Sequence, residues 1–180
     1  MTQLAALLRG VNVGGRPLPM AQLAELFGTL GLEGVRTYIQ SGNVVFAGRP
    51  SAALPRRLEQ AIEDRFGLQT RVLVRTHAEL AAAAAANPFP DAAANPTRLH
   101  VVFLEAAPAR KALGALDADR SPGDSFAVAG REIFLSLPNG FGRSKLTLDY
   151  FERKLGVAGT ARNWNTLLKL IELTEPRAAA

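Results

Sequence analysis

The sequence predicts an α+β protein in which the order β-α-β-β-α-β occurs twice in tandem, followed by one extra C-terminal helix. Three observations carry this expectation. Short apolar or alternating runs of strand length are interleaved with runs of period 3.6 in a fixed order. Glycine, proline and asparagine punctuate nearly every join between them. The order over residues 1–76 then returns over residues 98–180, after an alanine-rich stretch. This is the order of a ferredoxin-like subdomain, a four-stranded antiparallel sheet with two helices on one face.

In the first half, residues 3–9 (QLAALLR) read as a buried strand running into the glycines of RGVNVGGRP. Pro19 suits a helix start. Met20, Leu23, Phe27 and Leu30 then recur at helical spacing, and Gly31 is a plausible stop. VRTYIQ (35–40) alternates, SGN (41–43) turns, and VVFAG continues as the second arm of a hairpin. Ser51 is placed to cap a helix with Leu54, Leu58, Ile62 and Phe66 on one face, ended by Gly67; LQTRVLVR (68–75) closes the unit as a strand.

Thr76 and Glu79 spell a capping box, Thr-x-x-Glu, at the head of an alanine-rich connecting helix. Residues 87–96, with their prolines and asparagines, read as linker, so the expected division is 1–76, 77–97 and 98–180. In the second half RLHVVFLE (98–105) is a strand, Pro108 begins a short helix, and two strands flank the turn at Gly130. A glycine-rich loop leads into SKLTLDYFERKLG, a helix. VAGTAR is a short strand, and NWNTLLKLIEL is the extra helix, with Trp164, Leu167, Leu168 and Ile171 at helical spacing.

Composition narrows the chemistry. The 180 residues contain no cysteine, which excludes disulfides, thiolate zinc sites and cysteine nucleophiles. The opening MTQLAALLRGVNVGG lacks a basic leader, and no apolar run approaches the roughly 20 residues that span a bilayer. We expect a soluble, cytoplasmic protein that does not enter membranes. The net charge of +5, from 21 Lys and Arg against 16 Asp and Glu, favours anions, but the arginines are scattered. His77 and His100 show neither ligand spacing nor a nearby carboxylate pair, so we expect no metal site, and no motif implies a cofactor. No nucleophile has a base within a motif, and whether the chain is an enzyme stays open.

Two polar segments exceed what packing requires: residues 7–46 and RSKLTLDYFERKLGVAGTARNWNTLLKL (143–170). With RG-N-GG after the first strand, TYIQSGNVVF, and RSKL…FE-KLG…RNWNT-LKL, they resemble the bacterial domain of unknown function family 1697. Ala161 stands before Arg162 where that family more often has threonine. The resemblance implies a duplicated α+β plait and brings no activity, cofactor or catalytic residue with it.

For ligands, two loops stand out. Gly10–Gly15 lacks the Lys and Ser/Thr of a nucleotide-binding P-loop, having Arg16 and Pro17 instead; it reads as a tight turn with Asn12 bonded to backbone, or as an anion nest beside Arg9. GFGRSK (140–145) puts Arg143, Ser144 and Lys145 after glycines at an expected helix start, where free N–H groups favour anions; in the alternative, Ser144 or Thr147 caps. In RNWN (162–165), Arg162 and Asn165 could face solvent beside Trp164 as a platform, or the ring could pack in the core with Asn163 or Asn165 capping. The leading expectation is an anionic, phosphate-bearing small ligand near the subdomain interface. It would be held by Arg9, Asn12, Arg143, Ser144 and Lys145, with Arg162 and Asn165 as weaker contacts. The alternatives are a nucleic-acid-binding module on open sheet faces, with only Tyr38 in support, and a non-catalytic interaction protein of unassigned oligomeric state. Strands one and three of each unit are expected to run parallel, which puts loop 10–15 and turn 41–43 at opposite ends of one sheet. Segments 140–145 and 162–165 would be separated likewise in the other.

Overall fold

A computed structural model describes residues 1–12 and 17–176. By packing, the chain divides into two units: residues 1–81 with the segment from Leu170 onward, and residues 82–169. The first unit contains β1 (Thr2–Leu8), α1 (Met20–Thr29), β2 (Glu33–Tyr38), β3 (Asn43–Gly48), α2 (Leu54–Phe66) and β4 (Val72–Thr76), and α3 (His77–Ala85) follows β4 directly. In the second come α4 (Pro90–Ala93), β5 (Leu99–Leu104), α5 (Arg110–Leu113), β6 (Ser125–Ala129) and β7 (Glu132–Ser136). A 3-10 turn (Phe141–Arg143), α6 (Leu148–Leu155), β8 (Gly159–Asn163) and α7 (Trp164–Leu173) complete the order. The architecture is therefore α+β with two four-stranded antiparallel sheets, ordered β2-β3-β1-β4 and β6-β7-β5-β8.

Alternation along β1 sends Leu4, Ala6 and Leu8 to one face of the first sheet, where they meet Leu23 and Phe27 of α1 and Leu58 and Ile62 of α2. In the second sheet Val102, Leu104, Ile133 and Leu135 meet Tyr150, Phe151 and Leu155 of α6. The other faces are apolar and buried as well, with Ala5, Leu7, Val45 and Leu73 in one sheet and Val101, Phe103 and Phe134 in the other.

The pairing corrects the expected strand directions. β1 runs antiparallel to both β3 and β4, with Leu7 opposite Asn43 and Leu8 opposite Val72. The loop leaving β1 therefore lies at the same end as the turn entering β3 and the start of β4. β5 is likewise antiparallel to β7 and β8, with Leu99 opposite Ser136 and His100 opposite Asn163. The segments leaving β7 and β8 share the end where β5 begins.

The registers of the two sheets correspond position by position. Ala5 pairs with Val45 and Arg75; Val101 pairs with Phe134 and Arg162. Beyond the ladders, Leu8 N–Gly42 O and Arg9 N–Arg71 O (both 2.9 Å) are matched by Leu104 N–Arg131 O and Glu105 N–Ala158 O (both 2.8 Å). On this register Arg75-Thr76-His77-Ala78-Glu79-Leu80 falls on Arg162-Asn163-Trp164-Asn165-Thr166-Leu167. Both stretches pass from strand to helix without a loop, and the last strand residue caps the helix. Thr76 Oγ1 accepts from Glu79 N (3.2 Å) while Glu79 Oε2 accepts from Thr76 N (2.8 Å), the reciprocal box expected from sequence; Asn163 Oδ1 accepts from Thr166 N (2.8 Å). The C-terminal helix α7 thus occupies the place in its half that α3 occupies in the first.

Smaller expectations shift. Ser51 does not cap α2 through its side chain; the N-cap is Ala53, and Leu54 N bonds to Ser51 O. The stretch 87–96 holds α4 and an Asn87–Phe89 clasp. Leu168 is 46% exposed, so the buried stripe of α7 is Trp164, Leu167 and Leu170. The far end of α7 is held within the first unit: Arg36 Nη2 donates to Leu173 O (2.9 Å), and His77 Nδ1 lies 3.2 Å from Ile171 O and from Thr174 Oγ1. A cationic side chain there satisfies a carbonyl that the helix itself leaves open.

Gly42, in the turn before β3, is the most crowded described glycine of the first unit. Its φ is +78°, and a Cβ would stand 2.3 Å from Val11 Cγ2 and 2.9 Å from Leu8 Cβ. Gly42→Ala combines left-handed strain with overpacking and should destabilise the chain by about 2 kcal/mol or more. Urea denaturation checks this: a change below about 0.5 kcal/mol, the scale of an ordinary surface substitution, would mean the turn is not pinned against β1.

Candidate functional site

Antiparallel pairing gathers the distinctive polar residues of each half at one end of its own sheet. In the first unit the loop leaving β1 meets the turn between β2 and β3. Asn12, at φ +57°, joins them. Its Nδ2 donates to Gln40 O (2.6 Å) and Leu18 O (3.3 Å), and its Oδ1 accepts from Leu18 N. This is the backbone-bonded turn reading of Asn12. The side chain clasps both ends of the loop to the hairpin, and its donors and acceptor are engaged in doing so. Residues 13–16, with the remaining glycines, fall outside the described residues.

Asn43, fully buried at the start of β3, closes the hairpin by donating to Tyr38 O (3.1 Å) and Ser41 Oγ (3.0 Å). The turn itself spans residues 39–42, so the expected SGN turn begins two residues earlier. Ile39 sits at its tip with φ +50° and 49% exposure, an unusual conformation for a β-branched residue. Arg9, half-buried, borders a surface cleft of about 380 Å³ with Thr70, Arg71, Gln69, Glu59 and Glu63. Much of this lining is internally bonded: Thr70 Oγ1 donates to Arg9 O (2.7 Å), Gln69 Nε2 to Glu63 Oε1 (2.7 Å), and Val72 N to Glu59 Oε1 (2.9 Å). The cleft carries both signs of charge.

In the second unit the turn after β7 stands between two buried anchors, Leu137 and Leu146. The helix expected at Ser144 begins only at Leu148, capped by Thr147 Oγ1 accepting from Tyr150 N (3.2 Å). Between them, backbone donors expected to serve an anion are already used. Arg143 N bonds to Gly140 O, Ser144 N to Phe141 O, Lys145 N to Ser121 Oγ (3.1 Å), and Leu146 N to Ser144 Oγ (3.0 Å). Arg120 Nε donates to Lys145 O (2.9 Å) while its guanidinium lies over the Tyr150 ring at 4.1 Å. Ser144 is thus a brace. The Arg143 and Lys145 side chains are exposed, and neither bonds to a described residue.

RNWN takes the packed alternative. Trp164 is 7% exposed, Asn163 caps α7, and Arg162 is only 6% exposed. Arg162 Nη1 donates to Thr160 Oγ1 (2.7 Å) and Ala161 O (2.8 Å), and burial lowers its pKa to about 10. It faces no solvent, and Trp164 offers no open platform. Asn165 is exposed, and its side chain makes no bond to a described residue.

Two residues meet at this sheet end: Phe141, which sequence reasoning passed over, and His100, which it weighed only as a metal ligand. His100 occupies in β5 the register position of the core residue Leu4 in β1. Phe141, 38% exposed, lays its ring on the imidazole at 4.9 Å between centroids and 30° between planes. The His100 Nδ1 atom is buried without a hydrogen-bond partner, and desolvation lowers the ring's pKa from 6.5. The only sequence signal was the glycines at 140 and 142, which frame Phe141 on a turn rather than in a helix or strand.

The fold defines this chain as a two-unit α+β protein, with each half's polar motifs collected at a sheet end. It belongs to the family described as protein of unknown function DUF1697, whose model matches residues 1–134. The segment 143–170, which also carried the resemblance, lies outside the matched region. Among solved structures the chain is similar to a conserved bacterial protein from Streptococcus pneumoniae, with a TM-score of 0.76 and 23% identity over 97% of this chain and 99% of that one. That likeness concerns the fold. No curated protein matches. No helix among the described residues is long and apolar enough to cross a membrane.

His100 yields a pH prediction. Its folded pKa lies below that of the unfolded ring, so the unfolded chain binds the proton first as pH falls through about 6.5. Stability should fall with acidification from there until His100 protonates in the folded state, and then level off in this contribution. Melting temperatures from pH 7.5 to 5 should therefore drop less steeply in His100→Phe. Parallel curves for the two proteins would remove His100 as the cause.

Proposed function

We propose that the chain binds a small anionic, phosphate-bearing ligand, and that the turn 139–145 of the second unit is its site. One observation supports this most directly: Arg143 and Lys145 present unengaged cationic side chains on a turn whose backbone is braced from within. Bracing matters because a ligand then meets cations on an ordered base and orders less of the chain on binding. The guanidinium offers paired N–H donors and the ammonium a point charge. Asn165, at the same sheet end, adds a polar contact. Asn12, Ser144 and Arg162 serve as internal supports in this reading, and Arg9 borders the mixed-charge cleft of the first unit.

We further infer that each half is a ferredoxin-like plait and that the halves are duplicates. Support comes from the strand orders and matched registers, and from the shared Arg and Leu of RTHAEL and RNWNTL. The nucleic-acid alternative loses ground on the same topology. Sheet-based RNA readers display aromatics on two central strands. Phe103 of β5 and Phe134 of β7 occupy such strands, but both are fully buried.

Thermal shift with pyrophosphate tests the proposal. A millimolar addition should raise the melting temperature by about 3 °C or more, and Arg143→Ala with Lys145→Ala should abolish the shift without lowering the unliganded melting temperature appreciably. A shift that survives the double substitution would move the site elsewhere. No shift with any phosphate compound would end the anion reading.

A further inference from the structure

The turn that carries Arg143 and Lys145 also carries Phe141, which the anion reading leaves without a role. A phenyl ring on an exposed turn costs hydration and commonly tucks into the core. Here one side of the ring lies on His100, and the residue keeps 38% of its surface in solvent. Gly140, at φ +86°, and Gly142 flank it, and a Cβ at either position would meet nothing within 4 Å. The ring's own position is held by the stack beneath it and by the anchors Leu137 and Leu146 at the two ends of the turn.

The stack is electrically quiet. His100 has its Nδ1 buried with no partner. The imidazole does not answer to a carboxylate or a second histidine, and Phe141 rests on a largely neutral ring. Phe141 keeps 38% of its surface exposed, with a basic residue two positions away at Arg143 and another at Lys145, both exposed. A plane next to cations suits a ligand that is itself a plane bearing an anion.

We infer that Phe141, backed by His100, is a stacking platform for a heteroaromatic ring, so that the site takes a nucleoside phosphate rather than a bare phosphate. The inference rests on the anion reading above: Arg143 and Lys145 hold the phosphate and Phe141 holds the base. His100 acts as a positioning residue that sets the plane of the phenyl ring and touches no ligand. Asn165, exposed at the first turn of α7 and at the same sheet end as His100, is placed to read a base or sugar edge.

Calorimetric titration of the full chain with ADP, pyrophosphate, adenosine and a ten-nucleotide single strand tests this. ADP should bind about tenfold more tightly than pyrophosphate, the scale of one base–aromatic stack. Phe141→Ala should erase that advantage and leave pyrophosphate binding within about twofold, and Phe141→Tyr should restore it. His100→Leu, which keeps an apolar support but loses the planar one, should reduce ADP binding and spare pyrophosphate. Equal affinity for ADP and pyrophosphate would overturn the platform while leaving the anion site intact. Binding of neither would remove the anion reading and the platform with it. Binding of adenosine alone, unaffected by Arg143→Ala, or of the single strand far more tightly than ADP, would also overturn the inference as stated. Far-ultraviolet circular dichroism and melting of Phe141→Ala separate loss of binding from loss of fold, and the Phe141→Tyr arm decides the matter should the alanine variant prove unstable.

Discussion

The arrangement depends on one constraint: the first strand of each half is central and runs antiparallel to both its neighbours. Such a strand has every backbone donor and acceptor taken by its neighbours, so it cannot slip without breaking two ladders at once. Its two partners must then both begin where it ends and both end where it begins. The chain's polar segments are sorted by that rule. In the first unit everything near the exit of β1 is drawn together, namely Arg9, Asn12, the 39–42 turn and Thr70. In the second, everything near the entry of β5 is drawn together: His100, the 139–145 turn and the head of α7.

The same constraint explains where charge is tolerated inside. Arg75 and Arg162 occupy equivalent positions beside the central strand, on the face away from α1, α2 and α6, and are 2% and 6% exposed. Desolvating a guanidinium costs several kcal/mol unless it is bonded. Arg162 meets that cost in part by turning back onto its own strand, at Thr160 Oγ1 and Ala161 O, and Arg75 Nη1 likewise reaches Val74 O at 3.2 Å. Burial brings Arg162 only to about 10, so it stays charged at neutral pH. Each arginine directly precedes the residue that caps the following helix. The strand-to-helix junction is thus a corner with no loop, a buried cation on one side of it and a satisfied helix start on the other.

Much of this was legible because the elements obey local rules. The helical face of Leu54, Leu58 and Ile62, the Thr76–Glu79 box and the left-handed stop at Gly67 each follow from a few neighbouring residues. What could not be read were facts set by distant partners. Nothing adjacent to Trp164 says that it packs while Leu168 does not; the face was clear and its rotation was not. Arg162 looks like a surface cation until pairing puts it next to the central strand. The error over strand direction had the largest effect. It kept apart residues that share a sheet end, and it hid the meeting of Phe141 with His100, which lie 41 positions apart by their numbering and come together only because β5 and β7 are antiparallel.

That meeting also shows how the two halves differ in use despite their common register. Leu4 in β1 is fully buried under α1 and α2, as a strand residue of a packed sheet should be. At the matching place in β5 the chain has a histidine with one nitrogen desolvated and unbonded, a poorer solution by packing alone. A leucine there would supply the same burial without an unsatisfied polar atom. A planar ring at that position offers what leucine cannot, a flat surface on which the Phe141 ring lies at 4.9 Å between centroids. The first half spends its sheet end on an internal clasp through Asn12, whereas the second holds its turn by buried leucines and serine bonds, leaving Phe141, Arg143 and Lys145 exposed.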